Sequence, residues 1–455
     1  MPRDEEEALA ESPSSTDPAA SDQSAVAVEG DPTTGLSQAQ MATLAPEVMA
    51  DSLGEYFAAW GRRLRNGESG ALPIVVGLIL IVIFFQLEDS NFLTAGNLVN
   101  LLVQSAVYIL LGSAEIYVLL LSEIDLSVGY TAAVGAFTIA ELIGPPVNLP
   151  WWLGIIGGLI VCAGIGGIQG TLITRLSLPS FIVTLGGLLG LEGVMLELAN
   201  LDKSAVGGVM SINSNSPVDQ LVSSNMSVAL GWIVLVIGLV VFAAVTLSRS
   251  RSRRAQGLSA PPMSITWLTI GVTSVGGVVV LLICNANRGL LTPLRGVPWV
   301  VPFVIVVLLL STWLLSRTRL GRYIYAIGAN PEAARRAGIN VARVRTIGFM
   351  LCSLTAGLAG LVYESRQGNI ATDIDGGNLV LYAVAAAVIG GTSLFGGRGK
   401  PLHALLGGIV IAAVINGLGL MNVSAAVTDM ATAVVLIAAV TLDSLVRRRA
   451  ATNTR

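Results

Sequence analysis

The sequence predicts an all-α fold: a polytopic transmembrane helical bundle of about twelve spans, with both termini cytoplasmic. Three observations carry this. Of 455 residues, 53% are hydrophobic and 12% are charged, and that charged share is about half of what a soluble domain carries. The apolar residues run continuously rather than alternating, which suits helical spans and excludes an outer-membrane barrel. When those runs are taken as alternating spans, the basic residues fall almost entirely on one side.

At the N-terminus, residues 1–66 form an acidic tail. Residues 1–60 hold twelve carboxylates and a single basic residue, Arg3. The first forty residues are rich in Ser, Pro, Ala, Asp and Glu, cannot bury enough apolar surface, and are expected to stay largely disordered. No basic stretch precedes an apolar core, so the tail is not read as a signal peptide. Leu44 to Leu64 sets Val48, Leu53, Phe57, Trp60 and Leu64 near helical spacing. That pattern fits an amphipathic helix on the membrane surface or an ordinary linker.

The transmembrane domain is read as 67–448, with a short cytoplasmic tail at 449–455. Apolar runs fall near 71–87, 98–121, 127–143, 152–174, 180–199, 227–247, 265–284, 298–316, 346–363, 379–395, 402–420 and 424–443. With a cytoplasmic N-terminus, the inside segments hold 22 lysines and arginines, and only Lys203, Arg288, Arg295 and Arg366 lie outside. Losing one span would invert half of the connections and spoil that split. Cys162, Cys284 and Cys352 all sit in apolar runs and His403 is the single histidine. No metal site or disulfide framework is expected.

Two inside connections stand out. Residues 249–262 are basic, an orientation anchor. Residues 317–345 are longer, and their centre reads Asn330-Pro331-Glu332-Ala333-Ala334-Arg335-Arg336-Ala337-Gly338. Asn330 suits the N-cap and Pro331 the first helical position. Glu332 complements the dipole of the first turn. Gly338 can take the left-handed conformation that ends a helix. A two-turn helix with firm stops is therefore predicted, either as a plain surface helix or as a docking element whose alanines let a partner approach closely.

Ionisable groups at membrane depth are few: Glu115, Glu192, Glu197, Asp429 and Glu141. Such groups face the bundle interior or water. Polar candidates for a transport path or gate are Gln104, Glu123, Asp125, Ser127, Gln169, Thr184 and Asn416, with Asn100 and Tyr108 beside them. Interhelical hydrogen bonding is the alternative for each. Asp125 with Ser127 reads as a helix cap at the break between the second and third spans. Glu364 and Arg366 fall outside, as a solvated pair or a contact for an extracytoplasmic protein.

The spacing from Glu332 to Gly338 resembles the EAA-type coupling motif of ABC importer permeases. Further segments extend the likeness. Glu123 to Gly129 (EIDLSVG), Pro179 to Gly186 (PSFIVTLG), Gly321 to Gly328 (GRYIYAIG) and Val388 to Gly399 (VIGGTSLFGGRG) are similar to segments of the ribose/xylose permease family of ABC sugar importers. Within it, Glu123, the basic loop with Arg253-Arg254, an additional hydrophobic pair at 265–316 and the C-terminal Leu442-Asp443-Ser444 resemble the D-xylose type. Val380 and Tyr382 stand where the family usually carries a Glu-x-Asp pair, and Ala426, Val427 and Thr428 replace an aromatic-aromatic-Gln cluster.

The resemblance implies a permease subunit of the cell (inner) membrane that moves a neutral monosaccharide inward, a pentose such as D-xylose. It implies a second copy of the chain, a cytoplasmic ATPase subunit that binds ATP and Mg, and an extracytoplasmic sugar-binding protein. Gly321, Arg322, Asn330, Pro331, Glu332, Ala333, Ala334, Arg335 and Gly338 would make the ATPase contact. No cofactor in the chain itself and no nucleic-acid partner are expected. Gly399-Lys400 is the best phosphate-loop lookalike, but Leu394 replaces the first glycine and Pro401 the Ser/Thr, so ATP hydrolysis is not expected of this chain. An ion-coupled secondary transporter and a non-transporting receptor or scaffold are the rival classes. The first would want an inverted repeat, and none is evident in the sequence.

Overall fold

The computed structural model describes residues 72–201, 209–211, 216–256, 262–289, 292–434, 437 and 441. The acidic tail 1–66, its amphipathic stretch and the tail 449–455 lie outside these residues.

Each of the twelve apolar runs overlaps a helix among the described residues, the run 379–395 extending past the end of its helix. The first half comprises α1 (Leu72–Glu88), α2 (Ala95–Leu119), α3 (Val128–Ile143), α4 (Trp151–Arg175) and α5 (Ser180–Leu201). A strand β1 (Val209–Ser211) and a short α6 (Pro217–Ser223) lead to α7 (Val228–Ala255), α8 (Met263–Asn285) and α9 (Val300–Arg317). Two short helices follow, α10 (Arg319–Ala329) and α11 (Pro331–Arg336), and then the long α12 (Val341–Gln367). The chain ends with β2 (Asn369–Ala371), α13 (Gly376–Ile389), α14 (Pro401–Leu420) and α15 (Ala425–Val434). Among the described residues, eight helices are long and apolar enough to cross a membrane, and α1, α3, α13 and α15 are apolar but shorter.

Helix α2 is the axis of the bundle. It is wrapped by α9, α12, α13 and α14, which is why it is apolar on every face and almost wholly buried. Small residues allow the close approach. Gly112 faces Ala386 and Ala404, Gly408 lies against the Ile109 backbone, and Gly166 of α4 lies against the Phe349 backbone of α12. Membrane helices lacking a hydrophobic drive toward one another associate through such contacts. Helices α7 and α8 pack on each other and reach α2 through α8, while α9 packs on α2, α10 and α14.

The two short helices α3 and α13 meet at their first turns. A side chain on Gly129 would strike the Gly376 carbonyl, and the Tyr130 ring covers Gly376. Bringing two positive helix ends together is unfavourable unless each is compensated. Each end has its own aspartate: Asp125 accepts from the Ser127 amide at 2.9 Å, and Asp375 accepts from the Asn378 amide at 2.9 Å. Both aspartates follow an acidic residue and an isoleucine, Glu123-Ile124 and Asp373-Ile374.

At one end of the bundle, β1 pairs antiparallel with β2, Met210 opposite Ile370. Helix α6 is tied there to α12, since the Val222 amide donates to Ser365 Oγ at 3.0 Å and Ser365 Oγ donates to the Asp219 carbonyl at 3.0 Å. Helices α10 and α11 occupy the other end.

Candidate functional site

Helix α11 is stopped at both ends as its residues dictate. Asn330 Oδ1 accepts from the Ala333 amide at 2.9 Å, and Pro331 takes the first position. At the other end Gly338 adopts φ +81. The Gly338 amide donates to the Arg335 carbonyl at 3.0 Å and the Ile339 amide to the Ala334 carbonyl at 3.1 Å. That pair of bonds is a Schellman motif, open here to glycine at little cost. Only Ala334 of this helix is buried, so Glu332, Ala333, Arg335 and Arg336 project into solvent. Glu332 pairs with Arg335 at 2.9 Å and with Arg336 at 3.6 Å. Exposed pairs of this kind add little to stability, but they hold the arginines in a defined array. Beside α11 lies a cleft of about 420 Å³ lined by Arg335, Ile339, Asn340 and Arg345, with Thr174 and Ser177 across from them.

Helix α10 anchors α11 to the bundle. Thr318 caps it, its Oγ1 accepting from the Gly321 amide at 3.1 Å. Gly321, Ile324, Ile327 and Gly328 form its buried stripe, while Arg322 is exposed. At Gly328 the backbone passes so close to the Leu120 carbonyl and the Gly397 amide that no side chain fits. The connection between α13 and α14 closes the arrangement. The Gly397 amide donates to the Leu120 carbonyl at 3.0 Å, Ser122 Oγ to the Phe395 carbonyl at 3.0 Å, and Tyr325 Oη to the Gly399 carbonyl at 2.7 Å. Burial pushes the Tyr325 phenol up from its ordinary value, so it stays protonated and remains the donor. Gly396 and Gly397 take φ +81 and +69, which lets the loop turn back against α10. Three connections distant in sequence are thus fused into one platform beneath α11.

A buried polar cluster adjoins the platform. Asp125 is fully buried. Ser127 Oγ donates to it at 2.6 Å, and Gln169 Nε2 of α4 donates to Ser127 Oγ at 2.7 Å. Cys352 Sγ of α12 donates to Asp125 Oδ2 at 3.7 Å, and Glu115 Oε1 accepts from the Asp125 amide at 3.2 Å. Thr184 Oγ1 donates within α5 to Ser180 at 2.9 Å and approaches the Ile124 carbonyl at 3.3 Å. Glu123 pairs with Arg345, 3.1 Å apart, at the foot of α12.

The structure therefore gathers five of the seven path candidates, Glu123, Asp125, Ser127, Gln169 and Thr184, around the segment that enters α3. One expectation is corrected: Ser127, not Asp125, occupies the cap position of α3, and Asp125 binds the Ser127 amide from two residues upstream. Nor does Asp125 lie at the end of the bundle, since it contacts Cys352 and Glu115. Cys352 is the twelfth residue of α12, about 16 Å along its axis, so the chain between α2 and α3 climbs back into the bundle.

Gln104 and Asn416 lie apart from this cluster. Asn416 exchanges two hydrogen bonds with Asn97 at 2.8 and 3.0 Å, near the opposite end of α2, and Gln104 is buried one turn before Tyr108. Glu364 is corrected outright. Expected on an outer surface beside Arg366, its carboxylate is fully buried within α12, so it cannot meet a docking protein. Arg345, Cys352 and Tyr325 are not legible as site residues in the sequence. Their partners lie hundreds or dozens of residues away, and no local spacing announces them.

Residues 97–440 match the family model described as branched-chain amino acid transport system / permease component. The chain is 33% identical over 381 residues to the xylose transport system permease protein XylH of Escherichia coli strain K12, covering 83% of this chain and 92% of the relative. It is 30% identical over 370 residues to the D-allose transport system permease protein AlsC of the same strain, covering 81% and 90%. To the ribose import permease protein RbsC of that strain it is 30% identical over 370 residues, covering 81% and 92%. No solved structure matches the chain.

Proposed function

Because the chain belongs to the ABC sugar-transporter permeases of the ribose/xylose family, we propose that it is the translocation subunit through which a neutral monosaccharide, a pentose such as D-xylose, enters the cell. It is a multi-pass protein of the cell membrane. In this reading all twelve apolar helices span or enter the bilayer, and both termini and the α10–α11 platform are cytoplasmic. The 22-to-4 division of basic residues supports that orientation.

The observation that carries the reading is the shape of α11. It is capped at both ends, exposes its charged array, and rests on a platform bonded to the end of α2 and the α13–α14 connection and packed on α12. A separate ATPase subunit, binding ATP and Mg, would seat on Glu332, Ala333 and Arg335 and in the adjoining cleft, with Gly321 and Arg322 beneath. Movement of α11 would pass through Gly328 and the Glu123–Arg345 pair to the segment that holds Asp125. A second copy of the chain would complete the path. A sugar-binding protein would dock at the end carrying β1 and β2, where Arg366 lies.

The test is a mild-detergent pull-down of the tagged chain from its native membrane with mass identification of partners. An ATPase subunit together with a sugar-binding protein is the expected result. A chain that purifies alone, even after crosslinking, would reject it.

A further inference from the structure

Asp429 is the one carboxylate between residues 401 and 442. It lies in the apolar helix α15, yet it is exposed. A carboxylate at membrane depth does not face lipid without heavy cost, so it faces water or another polar surface. Its surroundings are built. Tyr382 of α13 donates its hydroxyl to Asp429 Oδ1 at 3.4 Å. The Tyr382 ring meets the buried ring of Tyr108 on α2 edge-to-face, centroids 5.5 Å apart and planes at 88°. An edge-to-face pair is a favoured aromatic geometry and fixes the orientation of the outer ring. Gln104, buried one turn before Tyr108, completes the inner side.

We infer that Tyr382 and Asp429, held by Tyr108, form a sugar-reading constriction in the wall of the transport path. This rests on the function proposed above and adds to it a selectivity site within the permease itself. The chemistry fits a neutral polyol. The long Tyr382–Asp429 hydrogen bond is half open to solvent, and the carboxylate keeps acceptor capacity for a sugar hydroxyl because a single partner uses only part of it. The half-buried ring of Tyr382 offers an apolar face of the kind that accompanies a few placed polar groups in ligand sites. An anionic sugar would be repelled by Asp429, and among the described residues no basic side chain is paired with it. A site that hydrogen-bonds a substrate hydroxyl discriminates strongly between substrates that present it and those that do not.

Two measurements on the full transporter in cell membranes test this. Asp429→Cys is treated with a charged, membrane-impermeant methanethiosulfonate reagent; Cys162, Cys284 and Cys352 are all buried, so the background is low. Labelling is expected, and an unlabelled residue would overturn the proposal by placing it against lipid or protein. Uptake of labelled xylose, ribose and allose is then compared in wild type and Tyr382→Phe at equal membrane abundance. The ring and its packing on Tyr108 are retained, so only the hydroxyl is read. A shift of about five-fold or more in the ratio between sugars is expected. A uniform loss for all three, or no change, means a structural role and overturns the proposal. A wild type that imports none of them overturns the functional reading, and this proposal with it; that failure is distinct because it appears without any substitution.

Discussion

The Glu123 carboxylate stands 3.1 Å from the Arg345 guanidinium, joining the segment that leads to Asp125 with the foot of α12 just beyond α11. Both side chains are mostly shielded, so the pair is worth more than a fully exposed one, though still on the order of 1 kcal/mol. Arg345→Gln is expected to slow sugar uptake about two- to five-fold, as is Glu123→Gln. The charge reversal Glu123→Arg with Arg345→Glu should recover most of that loss. Recovery in the double variant, read as a double-mutant cycle, separates a contact between the two from two independent defects.

Helix α11 gives the sharpest functional expectation. Gly338→Pro removes the amide that bonds Arg335 and imposes a φ near −65° where +81 is needed. Glu332→Lys strips both ion pairs and places a cation at the positive end of the helix. Each should leave the protein in the membrane while separating ATP hydrolysis from sugar movement. Normal uptake in both variants would count heavily against the docking role of α11.

Gly328 is a packing prediction. Any side chain there meets the Leu120 carbonyl and the Gly397 amide, both backbone groups with nowhere to go. Gly328→Val should destabilise the protein by about 3 kcal/mol or more, beyond the ordinary cost of overpacking. The expected readout is a lower melting temperature in detergent, while Gly338→Ala, which meets no neighbouring atom and costs only the roughly 1–2 kcal/mol strain of a side chain at positive φ, loses less.

The bond from Gln169 to Ser127 links α4 to the start of α3. Gln169→Leu leaves Ser127 without its outside donor in a fully buried position, a loss of about 1–3 kcal/mol. Heat stability should fall. Gln169→Asn, whose amide is one methylene too short to reach, should resemble the leucine variant rather than the wild type.

Removal of residues 1–40 should leave uptake nearly unchanged, since their composition supports no packed core. Uptake assayed in membranes with matched protein levels decides it. Loss of the assembled complex would instead make the tail a docking arm.

Much of this molecule is legible in its sequence, for physical reasons that can be named. The helices follow from the requirement that backbone polar groups in lipid be satisfied within the segment. Their number of runs and the orientation proposed for them follow from hydrophobic length and the placement of Arg and Lys. The stops of α11 are local chemistry: an Asn side chain reaches an amide three residues on, and Gly alone takes a positive φ cheaply. Those interactions span fewer than ten residues, so the sequence alone determined them.

Tertiary structure decided the rest. Asp125 looked like a cap at a span end, but the chain after α2 climbs back along α12, and only packing against Cys352 sets its depth. Glu364 looked exposed because it neighbours Arg366 in sequence; a helix turns about 100° per residue, and that rotation aims one side chain inward and the other away. The platform of Leu120, Gly328 and Gly397 brings together three segments separated by dozens to hundreds of residues, and the meeting of α3 with α13 depends on which helices flank α2. Long-range contacts of this kind depend on how whole helices fill space, and no local pattern of residues encodes them.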